Sequence, residues 1–208
     1  MLPTIDRYTL SSQNLPPNTV RWVPDRERAA LLVHDMQNYF VQAFNRAPES
    51  AIHTAISNTA RLIHSAHQHQ QPVIYTAQPP QQTAGDRALL TDFWGPGLTQ
   101  ADDALIIPEL APTEADTVLT KWRYCAFYRT DLEERLRAAG KTQLWISGIY
   151  SHIGCQTTAL TAFMKGFQVF FIADAQADFD AAYHRAALTY VASRCGYVTT
   201  TDQLLELS

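Results

Sequence analysis

The chain has few cysteines, no surplus of basic charge and no long apolar run. Each shortage removes a class of function. Its three cysteines, Cys125, Cys155 and Cys195, are an odd set without CxxC spacing, neither a disulfide framework nor a zinc site. They read as reduced thiols in a cytoplasmic protein. The formal net charge is −4, with 16 Lys and Arg against 20 Asp and Glu. A general nucleic-acid binder needs a basic surface to displace counterions, so that role is excluded, although a local basic pocket for a small anion is not. No apolar run approaches the ~20 residues needed to cross a bilayer. Residues 1–17 lack a positive segment followed by an apolar one, so no signal peptide is expected.

What is present suits one globular domain: 208 residues, 46% apolar and 17% charged, enough to bury a sizeable core. Pro3, Pro16, Pro17 and Pro24 make residues 1–28 an extended arm. The rest, 29–208, reads as a single domain without repeats or linkers. Ala29–Val33 is a continuous apolar run, the mark of a strand buried on both faces. Apolar side chains at Ile52, Ala55, Ile56, Ala60, Ile63 and Ala66 have helical spacing over 51–70. Further strands are expected at 72–75, 117–119, 144–146, 169–172 and 197–199. Helices are expected at 131–139, from about Cys155 to Gly166, and at 181–195. Thr130 and Glu133 have the spacing of a capping box, and Gly140 supplies a stop. Alternating strands and helices predict an α/β fold of three layers, α/β/α, around a parallel six-stranded sheet. The stretch 79–116 is too long for a plain connection, which points to function. Arg87–Leu90 within it reads as a short helix.

Sites in open parallel sheets lie beyond the carboxyl ends of the strands. Past the predicted strands come His34 and Asp35, then Gln78, then Lys121, Arg123 and Tyr124, then Tyr150, Ser151 and His152, then Asp174 and Asp178. An acid, a lysine, an amide and a phenol converge on one rim. Taken singly they have plainer readings: Asp35 as a helix cap, Lys121 as a surface charge, His34 and His152 as structural histidines. The aromatic run Trp122–Tyr128 beside Lys121 speaks against simple solvation. His64, His67 and His69 cannot share one helix face and read as solvated.

Five segments keep order and spacing together: Ala30–Gln37, Tyr75–Pro79, Phe93–Gly97, Lys121–Tyr124 and Gly148–Gly154. Ala173–Phe179 continues them. The pattern resembles the isochorismatases, from about residue 5 to residue 206. These belong to a wider group of α/β/α cysteine hydrolases that includes nicotinamidases and uses an Asp, a Lys and a Cys nucleophile. Asp35 and Lys121 fall on the first two positions. Six residues on from Gly148, where the nucleophile is expected, stands Gly154. Cys155 is one place further, about 100° round a helix, so nicotinamidase-like amide hydrolysis is not expected. The departure is itself typical of isochorismatases.

The resemblance implies hydrolysis of the enolpyruvyl ether of isochorismate to 2,3-dihydroxy-2,3-dihydrobenzoate and pyruvate. A vinyl ether hydrolyses once its terminal methylene is protonated, so a general acid is needed and a nucleophile is not. Asp35 is the implied acid, oriented by Lys121. Gln78, Arg87, Tyr150 and the backbone at Gly154 would contact the enolpyruvyl group, and a guanidinium suits a carboxylate. Trp94 and Phe179 would form an apolar wall, although without the resemblance either reads more readily as ordinary core. No cofactor and no metal are implied. No Asp-Ser pair is present, so a lone domain without a fused carrier domain is expected. Two pathways remain open: catechol siderophore synthesis, which the segment 153–158 favours, and phenazine synthesis, with 2-amino-2-deoxyisochorismate as substrate. A catalytically silent assembly partner is a third reading, against which the joint retention of Asp35, Lys121, Gln78 and Arg87 argues. A homodimer follows from the resemblance alone. Whether a separate aryl carrier protein docks is left open, and neither nucleic acid nor a membrane is expected as a partner.

Overall fold

The computed structural model describes residues 2–10 and 15–206. Six strands form one sheet: β1 (Ala29–His34), β2 (Val73–Ala77), β3 (Thr117–Thr120), β4 (Gln143–Ile149), β5 (Gln168–Ala177) and β6 (Tyr197–Thr199). Their order is β3-β2-β1-β4-β5-β6, and every neighbouring pair is parallel. β1 takes the centre because both its faces are apolar. Ala29, Leu31 and Val33 enter one core and Ala30 and Leu32 the other.

The helices are α1 (Asn38–Val41), α2 (Ala51–Gln68), α3 (Ala84–Arg87), α4 (Leu90–Trp94), α5 (Leu132–Ala138), α6 (Gln156–Met164), α7 (Ala181–Arg194) and α8 (Thr201–Leu205). One wide turn, Ser151–Cys155, precedes α6. α2 and α8 cover the Leu31 face, and α5, α6 and α7 cover the Leu32 face. This is the three-layer α/β/α fold with a parallel six-stranded sheet. The chain runs from β1 out to β3, then returns to place β4 on the other side of β1. The crevice at the carboxyl ends of β1 and β4 is therefore the switch point at which such sheets bind ligands.

Four local expectations need correction. The capping box at Thr130 does not form: the Thr130 hydroxyl donates to Ala126 O at 2.6 Å, and Glu133 pairs with Lys165 and Arg137 instead. The helix expected at 87–90 is two short helices, α3 and α4, broken at Ala88, where φ is +44°. β5 runs to Ala177, five residues beyond the expected end. Between the pairs Ile146–Phe171 and Gly148–Gln176, β4 advances two residues and β5 five. The bulge bends the strand and hides its continuation from an apolar-run reading. His67 is partnered: its Nε2 lies 2.8 Å from Asp116 Oδ1.

The described part of the arm is docked on the domain. Ile5 is buried, its N donates to Ala43 O at 2.8 Å, and Asn45 N donates to Ile5 O at 2.9 Å. Tyr8 Oη accepts from Asp178 N at 2.7 Å and donates to Nδ1 of the buried His184 at 2.9 Å. Tyr8→Phe leaves both partners unpaired. It should cost about 2–4 kcal/mol in urea unfolding, and a loss within experimental error would show that the arm is not held this way.

His184 and His34 are both wholly buried, and burial pushes each ring from 6.5 down to about 4. Their unfolded forms therefore take up protons below pH 6.5 that the native forms refuse, so stability falls as the pH drops from 6.5 toward 4. The loss at pH 5 relative to pH 7 should be on the order of 2 kcal/mol per ring. Asp174, whose carboxyl burial raises, opposes it in part. Equal unfolding free energies at pH 7 and pH 5 would contradict the assignment.

Candidate active site

Asp35 stands one residue past β1, with φ +51°, a left-handed conformation that Asp tolerates better than most residues. Its N–H points back to Thr76 O, at 3.2 Å, and its carboxylate projects over the switch point. Lys121 stands one residue past β3, where its N donates to Ala77 O at 2.9 Å and extends the ladder. The two side chains meet: Lys121 Nζ donates to Asp35 Oδ2 at 2.6 Å. The Thr76 hydroxyl donates to Asp35 Oδ1, also at 2.6 Å. Both carboxylate oxygens thus have a donor. Burial pulls the Asp35 carboxyl upward, but the Lys121 ammonium, the nearby His34 ring and the two hydrogen bonds outweigh it, and the net shift is down. Without a ligand Asp35 is an anion.

Over this pair lies a small pocket, partly open to solvent. All eight residues singled out from the sequence line it: Asp35, Gln78, Arg87, Trp94, Lys121, Tyr150, Gly154 and Phe179. Arg87 reaches in from α3, its Nε donating to Gly95 O at 3.0 Å and its Nη1 to Gln78 Oε1 at 3.3 Å. A Cβ at Gly97 would lie 2.6 Å from Arg87 Cζ, and φ there is +76°. Glycine therefore lets the guanidinium lie against the main chain. Trp94 Nε1 donates to Tyr124 Oη at 2.8 Å. Phe179 lies 4.6 Å from the Tyr150 ring and 6.0 Å from Trp94, between centroids. Tyr150 Oη donates to Phe40 O at 3.2 Å, so Tyr150 offers the pocket its ring while its hydroxyl holds the backbone.

Further residues complete the site: Gln37, Tyr39 and Leu2, which the sequence did not place on the rim, and His34 and Tyr124, which it did. The Gln37 amide donates from Nε2 to both Gln78 O and Ala104 O at 2.8 Å, and its Oε1 accepts from Gln78 N. It pins the end of β2 to the 79–116 stretch. His34, Tyr39 and Tyr124 also line the pocket, and Leu2 of the arm reaches its wall. The position of His34 beside Asp35 is visible in the sequence. The Thr76 and Gln37 contacts span 41 residues and leave no local signal.

Other rim candidates lie elsewhere. Asp174 sits inside β5, not past it, and its Oδ1 accepts from the N and hydroxyl of Thr201 at the start of α8. Asp178 accepts from His152 N and faces His152 Nδ1, both at 2.6 Å, which ties the wide turn to the end of β5. Ser151 donates to Gln176, and Arg123 donates to Asp86 O. Cys155 is buried among Leu32, Ile146 and Ala159 on the far side of the sheet, where burial pushes its thiol well up. Among the described residues, no three His, Cys, Asp or Glu side chains are grouped to hold a metal ion, and no helix is long and apolar enough to cross a membrane.

Residues 29–203 match the Isochorismatase domain family. The chain is 51% identical to the isochorismatase of Bacillus subtilis over 99% of its own length and 66% of the relative's. It spans slightly under two thirds of that relative. It is 46% identical to phenazine biosynthesis protein PhzD1 of Pseudomonas aeruginosa over 99% of both chains. Among solved structures, a cysteine hydrolase from Pseudomonas syringae superposes with a TM-score of 0.79 at 26% identity, covering 94% of this chain and 97% of the other. With an acid–lysine pair at the switch point and matches of this extent, the chain belongs to the isochorismatase family.

Proposed function

We propose that the protein hydrolyses the enolpyruvyl ether of isochorismate to 2,3-dihydroxy-2,3-dihydrobenzoate and pyruvate by general acid catalysis, without a covalent intermediate. The observation that carries this reading is the buried Asp35–Lys121 pair beneath an aromatic-walled pocket in which residue 154 has no side chain.

The substrate is a dianion, and the pocket brings two cations, Lys121 and Arg87, to meet it. A carboxylate beside Lys121 shares the ammonium now given wholly to Asp35. The restraint on the Asp35 carboxyl weakens, burial dominates, and its pKa rises. Asp35 therefore takes up a proton from solvent as the substrate binds and gives it to the terminal methylene. The vinyl π pair forms the new C–H bond and an oxocarbenium ion results. Water adds to that carbon and its lost proton returns to the Asp35 carboxylate. The hemiketal C–O bond to the ring then breaks as the hemiketal hydroxyl loses its proton and the departing ring oxygen gains one, giving pyruvate and the ring alcohol. Tyr150, Trp94 and Phe179 limit bulk water around the cation. Arg87, steadied by Gly95 O and Gln78, suits a substrate carboxylate.

The phenazine-pathway substrate carries an amine where isochorismate carries a hydroxyl, and the likeness to PhzD1 keeps it as the second reading. An ammonium prefers an acidic partner. Asp35 is the one carboxylate among the described lining residues, and two donors already hold it. That favours the hydroxyl. Two expectations stay part of the proposal: a cytoplasmic location, from the sparse unpaired cysteines, and a homodimer, from the resemblance.

Steady-state kinetics with both substrates test the reading, with kcat/KM expected to be higher for isochorismate. Asp35→Asn keeps the shape but has no proton to give, so kcat should fall about 10²–10⁴-fold while KM stays near wild type. A folded Asp35→Asn variant with a third of wild-type kcat would remove Asp35 as the acid.

A further inference from the structure

Gly154 is not left-handed, so its backbone would accept any side chain. What forbids one is His34. A Cβ at 154 would lie 2.1 Å from His34 Cε1, 2.8 Å from Nε2 and 3.0 Å from Nδ1. The imidazole occupies the volume into which a side chain at 154 must project.

The ring cannot easily yield. Nδ1 lies 2.8 Å from Ile149 O and Nε2 3.2 Å from Tyr124 O. The His34 backbone is clamped between β2 and β4, opposite Thr76 and Gly148. Gly148 permits that approach, since a Cβ there would lie 2.2 Å from His34 O. The residue is wholly buried, and interiors this dense do not absorb an added atom without displacement. A neutral imidazole has one N–H and donates to one of these carbonyls, while its other nitrogen is covered by the second.

We propose that His34 is the specificity-determining partner of Gly154: its imidazole fills the place of a side chain at 154 and so denies the site a nucleophile next to Asp35 and Lys121. Acid and lysine are arranged as a thiol hydrolase of this fold could use them, and one solved structure of similar shape is that of a cysteine hydrolase. With His34 present, exchanging Gly154 alone does not restore a thiol site, and the same acid–lysine pair is left to proton chemistry. This deepens the proposed function and rests on its non-covalent reading, but its test uses no isochorismate, so the two can fail separately.

The variants are Gly154→Ala, Gly154→Cys, His34→Ala, and the doubles His34→Ala/Gly154→Ala and His34→Ala/Gly154→Cys. Thermal melts come first. Gly154→Ala should lower the melting temperature by about 5 °C or more. His34→Ala should also lower it, yet adding His34→Ala to Gly154→Ala should raise it above that of Gly154→Ala alone. Such a reversal of sign shows that the two positions are energetically coupled, as the overlap of the His34 ring with a side chain at 154 demands. The second readout is alkylation by iodoacetamide under native conditions, followed by peptide mass. The thiol at 154 should react at least about tenfold faster in the cysteine double variant than in Gly154→Cys, because only there can it point into the pocket. A Gly154→Ala variant as stable as wild type overturns the proposal. So does a Gly154→Ala defect that His34→Ala leaves unrelieved, including failure of both to fold. Equal alkylation of the introduced thiol with and without His34 overturns it as well.

Discussion

The contact between Lys121 and Asp35 organises this molecule. Two opposite charges have been taken out of water, and burial of that kind is costly unless geometry and further hydrogen bonds compensate. Here the compensation is local. Lys121 and Asp35 meet at 2.6 Å, and Thr76 supplies the second carboxylate oxygen with a donor at the same distance. Three parallel strands, β1, β2 and β3, each deliver one of the three groups from their carboxyl ends. A parallel sheet with its switch point at β1 is what lets residues 35, 76 and 121 meet.

The rest of the pocket depends on that arrangement and adds little charge of its own beyond Arg87. Gln37 commits its whole amide to backbone groups of Gln78 and Ala104, which fixes the 79–116 stretch over the site. Arg87 then lies on the glycine at 97, and the rings of Trp94, Tyr150 and Phe179 close the sides. On the proposed mechanism, Asp35 is held as an anion until a substrate carboxylate competes for its lysine, and only then takes up the proton it donates.

Much of this is legible in the sequence because strand ends are legible. β1 is a short apolar run closed by His34-Asp35, so the rule for open sheets is enough to place Asp35 on the rim. Gln78 and Lys121 follow in the same way. Where the sequence misleads, the cause is long-range. Small, polar neighbours put Asp174 past the end of β5, whereas a bulge carries the strand on to Ala177 and turns Asp174 toward Thr201. Thr130 and Glu133 have the spacing of a capping box, but each finds a better partner, Ala126 O and Lys165. The weight of His34 has no local signal because it depends on Gly154, 120 residues away in the chain.

The central claim is that Asp35 protonates the vinyl methylene, so that water attacks the side-chain carbon and the ring C–O bond survives. Displacement of enolpyruvate from the ring would give the same products with the new hydroxyl drawn from water. Hydrolysis of isochorismate in H₂¹⁸O, with mass analysis of the diol, separates the two, because ring hydroxyls do not exchange readily, unlike the pyruvate carbonyl. The account predicts no ¹⁸O on either ring hydroxyl. One ¹⁸O on the diol would contradict it and return the search to a nucleophile or base near Gly154.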